Sequence, residues 1–263
     1  MEQELAGKTA FVSGSTQGIG YAIAAALLRE GASVVINGRT EERVESAAAS
    51  LRAEVAGADV GGIPADFGDA AQVDRLTEAL AGTDILVNNV GVFELKEFAE
   101  ISDAEWARYV DVNLMSGVRS ARAALPGMLE RGWGRILFVA SESGVDVPAD
   151  MIHYGVTKAA TIALGNGLAK LTRGTGVTVN SILGGPTYSH GVAETVAAIA
   201  TAQGVPVEDL KAAIAAGNQT SLLQRFIEPD EIAHLAAYLA SPRSSATNGA
   251  ALRADGGTLT TML

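Results

Sequence analysis

The strongest constraint in this chain is a single join. A short apolar run, residues 9–13, passes directly into Gly14-Ser15-Thr16-Gln17-Gly18-Ile19-Gly20, and an alanine-rich segment with helical spacing follows at once. A strand that turns through glycines straight into a helix points the helix's first N–H groups back at the turn. Those N–H groups and the positive end of the helix dipole favour an anion, and glycines let the backbone come close to it. The spacing is G-x-x-x-G-x-G, and its place between a strand and a helix reads as a dinucleotide pyrophosphate loop.

The rest of the chain repeats the same alternation. Val- and Ile-rich runs at 33–37, 85–88, 135–140 and 177–182, with weaker ones at 60–64 and 250–253, read as buried strands. Segments 18–30, 41–55, 70–80, 103–131, 151–173 and 230–239 read as helices, with Ser102 and Asp103 as caps of the long fourth one. Strand and helix in turn imply an α/β fold: a doubly wound parallel sheet of seven strands with helices on both faces, in a single domain over residues 1–263. The one long departure is 184–229, with helical pieces near 192–201 and 207–216. An excursion at the carboxyl end of a strand suits a substrate lid.

Charge and composition exclude several partners. A formal net charge of -11 repels nucleic acid and anionic membranes, so neither is an expected partner. The chain has no cysteine, and His153, His190 and His234 lie far apart without ligand spacing, so no metal site is expected. The chain opens without a basic-then-apolar signal region, and no apolar run reaches the roughly 20 residues of a membrane span, which points to a soluble cytoplasmic protein.

The second strand ends in Asn37-Gly38-Arg39-Thr40. An acid at this place holds the adenosine ribose, whereas an arginine can hold a 2′-phosphate. The first acid comes only at Glu41, so Arg39 favours NADP(H), with NAD(H) still possible; Gln17 brings no second cation to the loop. Further on, Tyr154 and Lys158 form Y-x-x-x-K on a predicted helix, where residues four apart share a face. A lysine charge beside a tyrosine lowers the phenol's pKa from about 10 and makes it a better acid/base at neutral pH. Ser141 ends a strand in Val139-Ala140-Ser141-Glu142-Ser143-Gly144, Asn88-Asn89-Val90-Gly91 ends another, and Asn113 sits within the long fourth helix.

Taken in this order and spacing, the pattern resembles the short-chain dehydrogenase/reductase family from Lys8 to Gly257, and is similar to its 3-oxoacyl-ACP-reductase-like members. The resemblance implies a Rossmann fold that interconverts a carbonyl and a secondary alcohol with NADP(H). Tyr154 would be the acid/base, Ser141 would bond the substrate oxygen, and Lys158 would hold the nicotinamide ribose and lower the Tyr154 pKa. Asn113 would support a water-linked proton relay to Lys158. Ser13, Gly14, Gly18, Ile19 and Gly20 would form the pyrophosphate loop. Asp66 would contact adenine, and Asn88, Asn89 and Gly91 would border the ribose. Thr187 would meet the nicotinamide amide through its main chain, and Ser189 matches the threonine that follows. The partner implied is a small carbonyl or alcohol, and the assembly a homotetramer or homodimer. Rival readings are an NAD-dependent alcohol dehydrogenase of the same family and a catalytically idle NAD(P)-binding regulator.

The chain departs from the family pattern at Val90, in place of alanine, at Gly184, in place of proline, and at Ser13, in place of threonine. Gly184 is expected to loosen the root of the lid. Other residues have a substrate reading beside a bland one: His153 could touch substrate but reads as packing, Phe93 could line the pocket but reads as core, and Glu142 and Asp146 could bind a polar substrate but read as solvated loop charges; Trp106 and Trp133 read as structural. Tyr188 and His190 stand at the lid root, where substrate contact is as natural as packing. No pair of cations marks an acyl-carrier or nucleotide substrate, which leans toward a modest, partly apolar ketone or secondary alcohol.

Overall fold

The strands are rich in Val, Ile and Leu because helices cover both of their faces. The computed structural model describes residues 4–262. Its strands are β1 (Thr9–Val12), β2 (Ser33–Gly38), β3 (Val60–Pro64), β4 (Ile85–Asn88), β5 (Trp133–Val139), β6 (Gly176–Gly184) and β7 (Ala251–Ala254). They form one seven-stranded sheet in the order β3-β2-β1-β4-β5-β6-β7, and each neighbouring pair is parallel. The helices are α1 (Gly18–Arg29), α2 (Glu41–Glu54), α3 (Ala70–Glu78), α4 (Asp103–Tyr109), α5 (Ser116–Arg131), α6 (Ile152–Ala169), α7 (His190–Gln203), α8 (Val207–Gly217) and α9 (Pro229–Ala240). Two apolar layers hold them to the sheet. On one face Ile23, Leu27, Leu51, Ile232 and Leu239 pack on Val12 and Ile36. On the other Leu76, Leu125 and Met128 pack on Phe11, Leu86 and Phe138.

Two elements differ from the sequence reading in informative ways. The long fourth helix is α4 and α5 joined by a π-helical segment, Val110–Met115. Ser102 caps its start through a reciprocal capping box with Glu105, and Asp103 is the first residue of the helix. A π segment widens the coil locally and often marks a functional site; here it holds Asn113. Gly184 does not loosen the lid root. Strand β6 runs through it, Gly184 pairs with Ala254, and a Cβ there would lie 3.1 Å from Ile232 Cδ1.

Trp133 lies between cations, with Lys8 Nζ 3.9 Å and the Arg135 guanidinium 4.6 Å from the ring. That is a structural role, as is the packing of Trp106 against His153. Among the described residues no helix is long and apolar enough to cross a membrane.

Candidate active site

The chain leaves β1 toward β2 on one side and returns from β3 to β4 on the other, so β1 and β4 flank the point where the winding reverses. Loops diverge there at the carboxyl ends of the strands and open a crevice. A cleft of about 750 Å³ lies at this place, lined by Gly14, Gln17, Arg39, Asp66, Asn89 and Gly91 among others.

Neutral polar side chains build the frame of the cleft. Ser13 is buried, and its hydroxyl faces Val87 O at 3.4 Å while accepting from Asn89 N at 2.9 Å and Val90 N at 3.2 Å. It therefore ties β1 to β4 from behind the glycine loop. Asn89 Nδ2 donates to Ser13 O at 3.1 Å and to Gly14 O at 3.0 Å. From the other strand, Asn37 Oδ1 accepts from Gly14 N at 3.1 Å, and Ser15 Oγ accepts from Asn37 N at 3.0 Å. The sequence reading missed Asn37 and Ser15; both are ordinary residues until the fold brings β1 and β2 side by side.

This frame fits a dinucleotide. Gly14 and Gly18 have φ of +59° and +61°, a conformation that favours glycine. A Cβ on Gly20 would lie 2.5 Å from both Gly14 O and Asn89 Nδ2, so the helix can start this close to the loop only without a side chain. No side chain caps α1, and its first turn holds no acid, which leaves its leading N–H groups and positive dipole end to an anion. Val90 packs against this loop, its Cγ2 being 3.0 Å from where a Gly14 Cβ would stand.

At the far end of the cleft the expected Arg39 has company. Arg43, in the first turn of α2, lines the same end. Neither side chain joins an ion pair among the described residues. Asp66 is also at the wall, its Oδ1 accepting from Gly68 N at 2.9 Å. Thr187 sits at the root of the 184–229 excursion, bridged to Ile227, with its hydroxyl on Gly185 O at 2.8 Å. A Cβ on Gly18 would lie 3.6 Å from Ser189 Cβ, so the excursion begins against the glycine loop.

The predicted catalytic residues meet at the other end, around Gly91. A Cβ on Gly91 would be 3.4 Å from Lys158 Nζ and 3.7 Å from Asn113 Oδ1. Asn113 pins the turn after β4: its Oδ1 accepts from Val92 N at 2.8 Å, and its Nδ2 donates to Val92 O at 3.0 Å and to Thr157 Oγ1 at 3.1 Å. Lys158 is buried and donates to Val139 O at 2.8 Å. Burial brings its ammonium down to about 8, with the Glu142 charge resisting. Its Nζ lies 5.5 Å from the centre of the Tyr154 ring, on the ring's face.

Burial pushes the Tyr154 hydroxyl up to about 12, with the Ser141 hydrogen bond pulling down and the Glu142 charge pushing up. The Lys158 ammonium faces the ring and donates to Val139 O. Burial thus favours the protonated phenol.

Ser141 ends the β5 loop and donates to the Glu142 carboxylate, while accepting from Ser143 N at 3.1 Å. Glu142 is not the solvated charge expected of a loop: it is half-buried, and burial raises its carboxyl. Asp146 is exposed as expected. Phe93 is no core residue. It is 54% exposed, and its ring meets Tyr154 edge-on at 6.2 Å. His153 packs as expected, buried and 3.9 Å from the Tyr109 ring. Tyr188 packs on Phe226 at 5.5 Å beneath Lys211, and exposed His190 pairs with Glu194.

The family described as Enoyl-(Acyl carrier protein) reductase matches residues 14–259. An uncharacterized oxidoreductase, YvaG, of Bacillus subtilis (strain 168) is 44% identical over 258 residues, covering 98% of each chain. A D-beta-hydroxybutyrate dehydrogenase of Cupriavidus necator is 35% identical over 257 residues, covering 96% of this chain and 98% of that one. Among solved structures, the L-sorbose reductase of Gluconobacter frateurii, complexed with NADPH and L-sorbose, superimposes over 100% of both chains with a TM-score of 0.93 at 32% identity.

Proposed function

We propose that this chain, which belongs to the short-chain dehydrogenase/reductase family, is an NADP(H)-preferring oxidoreductase that interconverts a carbonyl and a secondary alcohol. One observation carries the reading. Lys158 and Asn113 meet at Gly91, and Tyr154 and Ser141 adjoin them, at one end of a cleft whose other end holds two unpaired arginines. A nicotinamide dinucleotide held along that cleft supplies or accepts the hydride.

In reduction, Tyr154 gives its proton to the carbonyl oxygen, and in oxidation it takes one from the alcohol. Ser141 bonds the same oxygen. Below about pH 8 Lys158 keeps its charge, which favours the tyrosinate left after the proton has gone. Asn113 fixes the turn that carries Gly91 and so keeps Lys158 facing the site. Arg39 and Arg43 hold the 2′-phosphate, Gly14, Gly18 and Gly20 admit the pyrophosphate, and Thr187 with the 184–229 excursion covers the nicotinamide end as a lid. The NADPH in the sorbose reductase complex agrees with this cofactor reading.

The test is a panel of ketones and secondary alcohols assayed with NADPH and NADH, or with their oxidised forms. We expect turnover with NADPH favoured. A native protein that binds NADPH but oxidises none across the panel would overturn the enzyme reading in favour of an idle regulator. Equal or better use of NADH would replace the NADP(H) assignment with the NAD-dependent one. The same reading carries a homotetramer or homodimer, which light scattering on the purified protein checks.

A further inference from the structure

Glu142 is the feature of the site that the proposed function leaves unused. It follows Ser141 directly, and the Ser141 hydroxyl donates to it. Ser143 Oγ, 3.3 Å away, is the other side chain that reaches it. No cation pairs with it among the described residues; the nearby Lys158 is buried and donates to Val139 O. Glu142 nevertheless acts on the site by charge, raising both the Tyr154 phenol and the Lys158 ammonium.

The mouth above it repeats the same sign. Lys96 N donates to Asp150 O at 2.8 Å, which lays the loop after β4 beside the loop before α6. Glu94, Asp146 and Asp150 on these loops are exposed, and the cation there, Lys96, is already bound to Glu105. Apolar Phe93 shares the mouth and touches the Tyr154 ring.

From this arrangement we infer that Glu142 is a specificity-determining residue, which selects substrates bearing a hydrogen-bond donor, a hydroxyl or an ammonium, next to the reacting carbon and rejects those bearing a carboxylate there. The inference rests on the oxidoreductase reading above, because it takes Ser141 as the partner of the reacting oxygen. With the alcohol form bound, its O–H donates to Ser141 Oγ while Ser141 donates to Glu142; two such O–H···O bonds in series, each about 2.7 Å, put the carboxylate within about 5 Å of the reacting oxygen. A substituent on the adjacent carbon reaches this distance. A donor there finds an acceptor that already lacks a cation, whereas a second carboxylate meets a like charge in a water-poor site. The stem of the substrate would rest on Phe93.

Four small ketones that differ in the group on the adjacent carbon separate the possibilities: hydroxyacetone, protonated aminoacetone, butanone and acetoacetate, each assayed for kcat and KM with NADPH. For the native enzyme, kcat/KM should be highest for the hydroxyl or ammonium compound, lower for butanone and lowest for acetoacetate. The hydroxyl and ammonium arms tell which donor the site prefers. In Glu142→Gln the ratio of hydroxyacetone to acetoacetate should fall at least about tenfold, mainly through KM for acetoacetate. Glu142→Asp, which keeps the charge, should retain most of the ratio; a role in folding alone would not separate the two variants in this way. Acetoacetate used as well as butanone by the native enzyme overturns the inference, and this reading needs no variant to fold. A ratio unchanged in Glu142→Gln overturns it as well. Silence on all four ketones, with turnover elsewhere in the wider panel, overturns the inference alone; silence throughout overturns the oxidoreductase reading with it.

Discussion

The two ends of the cleft solve different problems with different materials. The proposed dinucleotide end is built from glycine backbone and neutral side chains, Ser13, Ser15, Asn37 and Asn89, whose hydrogen bonds close on one another across β1, β2 and β4. The proposed catalytic end is built from ionisable groups drawn out of water, Tyr154, Lys158 and Glu142, each displaced from its ordinary pKa by burial. Satisfied neutral networks rigidify a structure at little electrostatic cost, whereas buried charge is costly and is kept where it does chemistry. The cradle should therefore respond to changes of shape, and the catalytic end to changes of charge and proton.

The largest effect should come from Tyr154→Phe. Removing a general acid costs about 10²- to 10⁴-fold in rate, and the phenol here is the proton donor of the proposed reaction. The ring still fills its place against Phe93, so cofactor binding, followed by NADPH fluorescence, should stay within a few-fold of native. Weakened binding in step with lost turnover would show that the two ends are not separate.

Lys158→Met breaks the comparison from the other side, because it should damage function and help stability. Turnover should fall by a similar order. Native Lys158 stands at about 8 when folded and at the ordinary 10.5 when unfolded. The unfolded chain therefore binds more protons between those values, and native stability rises with pH across that window. Below about pH 8 the full cost of the buried charge is present, on the order of 2 kcal/mol after the lost bond to Val139 O is set against it. The variant should accordingly be the more stable protein near neutral pH, and its advantage should vanish by about pH 10.5. Urea denaturation at pH 7 and pH 10 gives both numbers.

At the dinucleotide end the expected effects are smaller and steric. Gly20→Ala puts a methyl 2.5 Å from Gly14 O, and the loop must move. Overpacking of this kind costs about 1–3 kcal/mol, which should appear as a rise in the NADPH dissociation constant, with the pH profile unmoved. Arg39→Ala and Arg43→Ala test the charge that this end does carry. Each should lower the NADPH-to-NADH preference by about tenfold, the weight of one charge-assisted hydrogen bond. An acid engineered at Gly38 would be a poorer test, because a Cβ there falls 2.4 Å from Thr16 Cγ2 and disturbs the loop itself.

What could be read from the sequence follows the same division. The glycine loop, the strand runs and the helix phases are local patterns, and they appear in the fold nearly where the residues placed them. The shift to π geometry at Val110–Met115 carries no compositional mark, because it depends on what Asn113 meets across the turn after β4. Arg43 could have been found from its place one turn into the helix after β2. For Glu142 the place after Ser141 offered substrate contact as one reading, but its burial was not legible: a glutamate in a loop has the composition of a solvated charge, and only the packing of α6 against its turn withdraws it from water. The same holds for Phe93, which is apolar and yet exposed at the mouth.

His153 gives the finest division between the ends, since it neighbours Tyr154 without joining its chemistry. It is 1% exposed, its Nδ1 has no hydrogen-bond partner, and its ring lies on Tyr109. Burial lowers its pKa from 6.5, against the weaker pull of Glu94 and Glu105. Below that ordinary value the unfolded chain takes up a proton more readily than the folded one, so native stability should decline as pH falls through it. His153→Leu, apolar like the surroundings, should flatten that decline by about 1 kcal/mol or less. Denaturation midpoints at pH 5 and pH 7.5 measure it. An equal acid decline in both proteins would place the sensitivity elsewhere, and a shift in the pH dependence of turnover would mean that His153 belongs to the catalytic end after all.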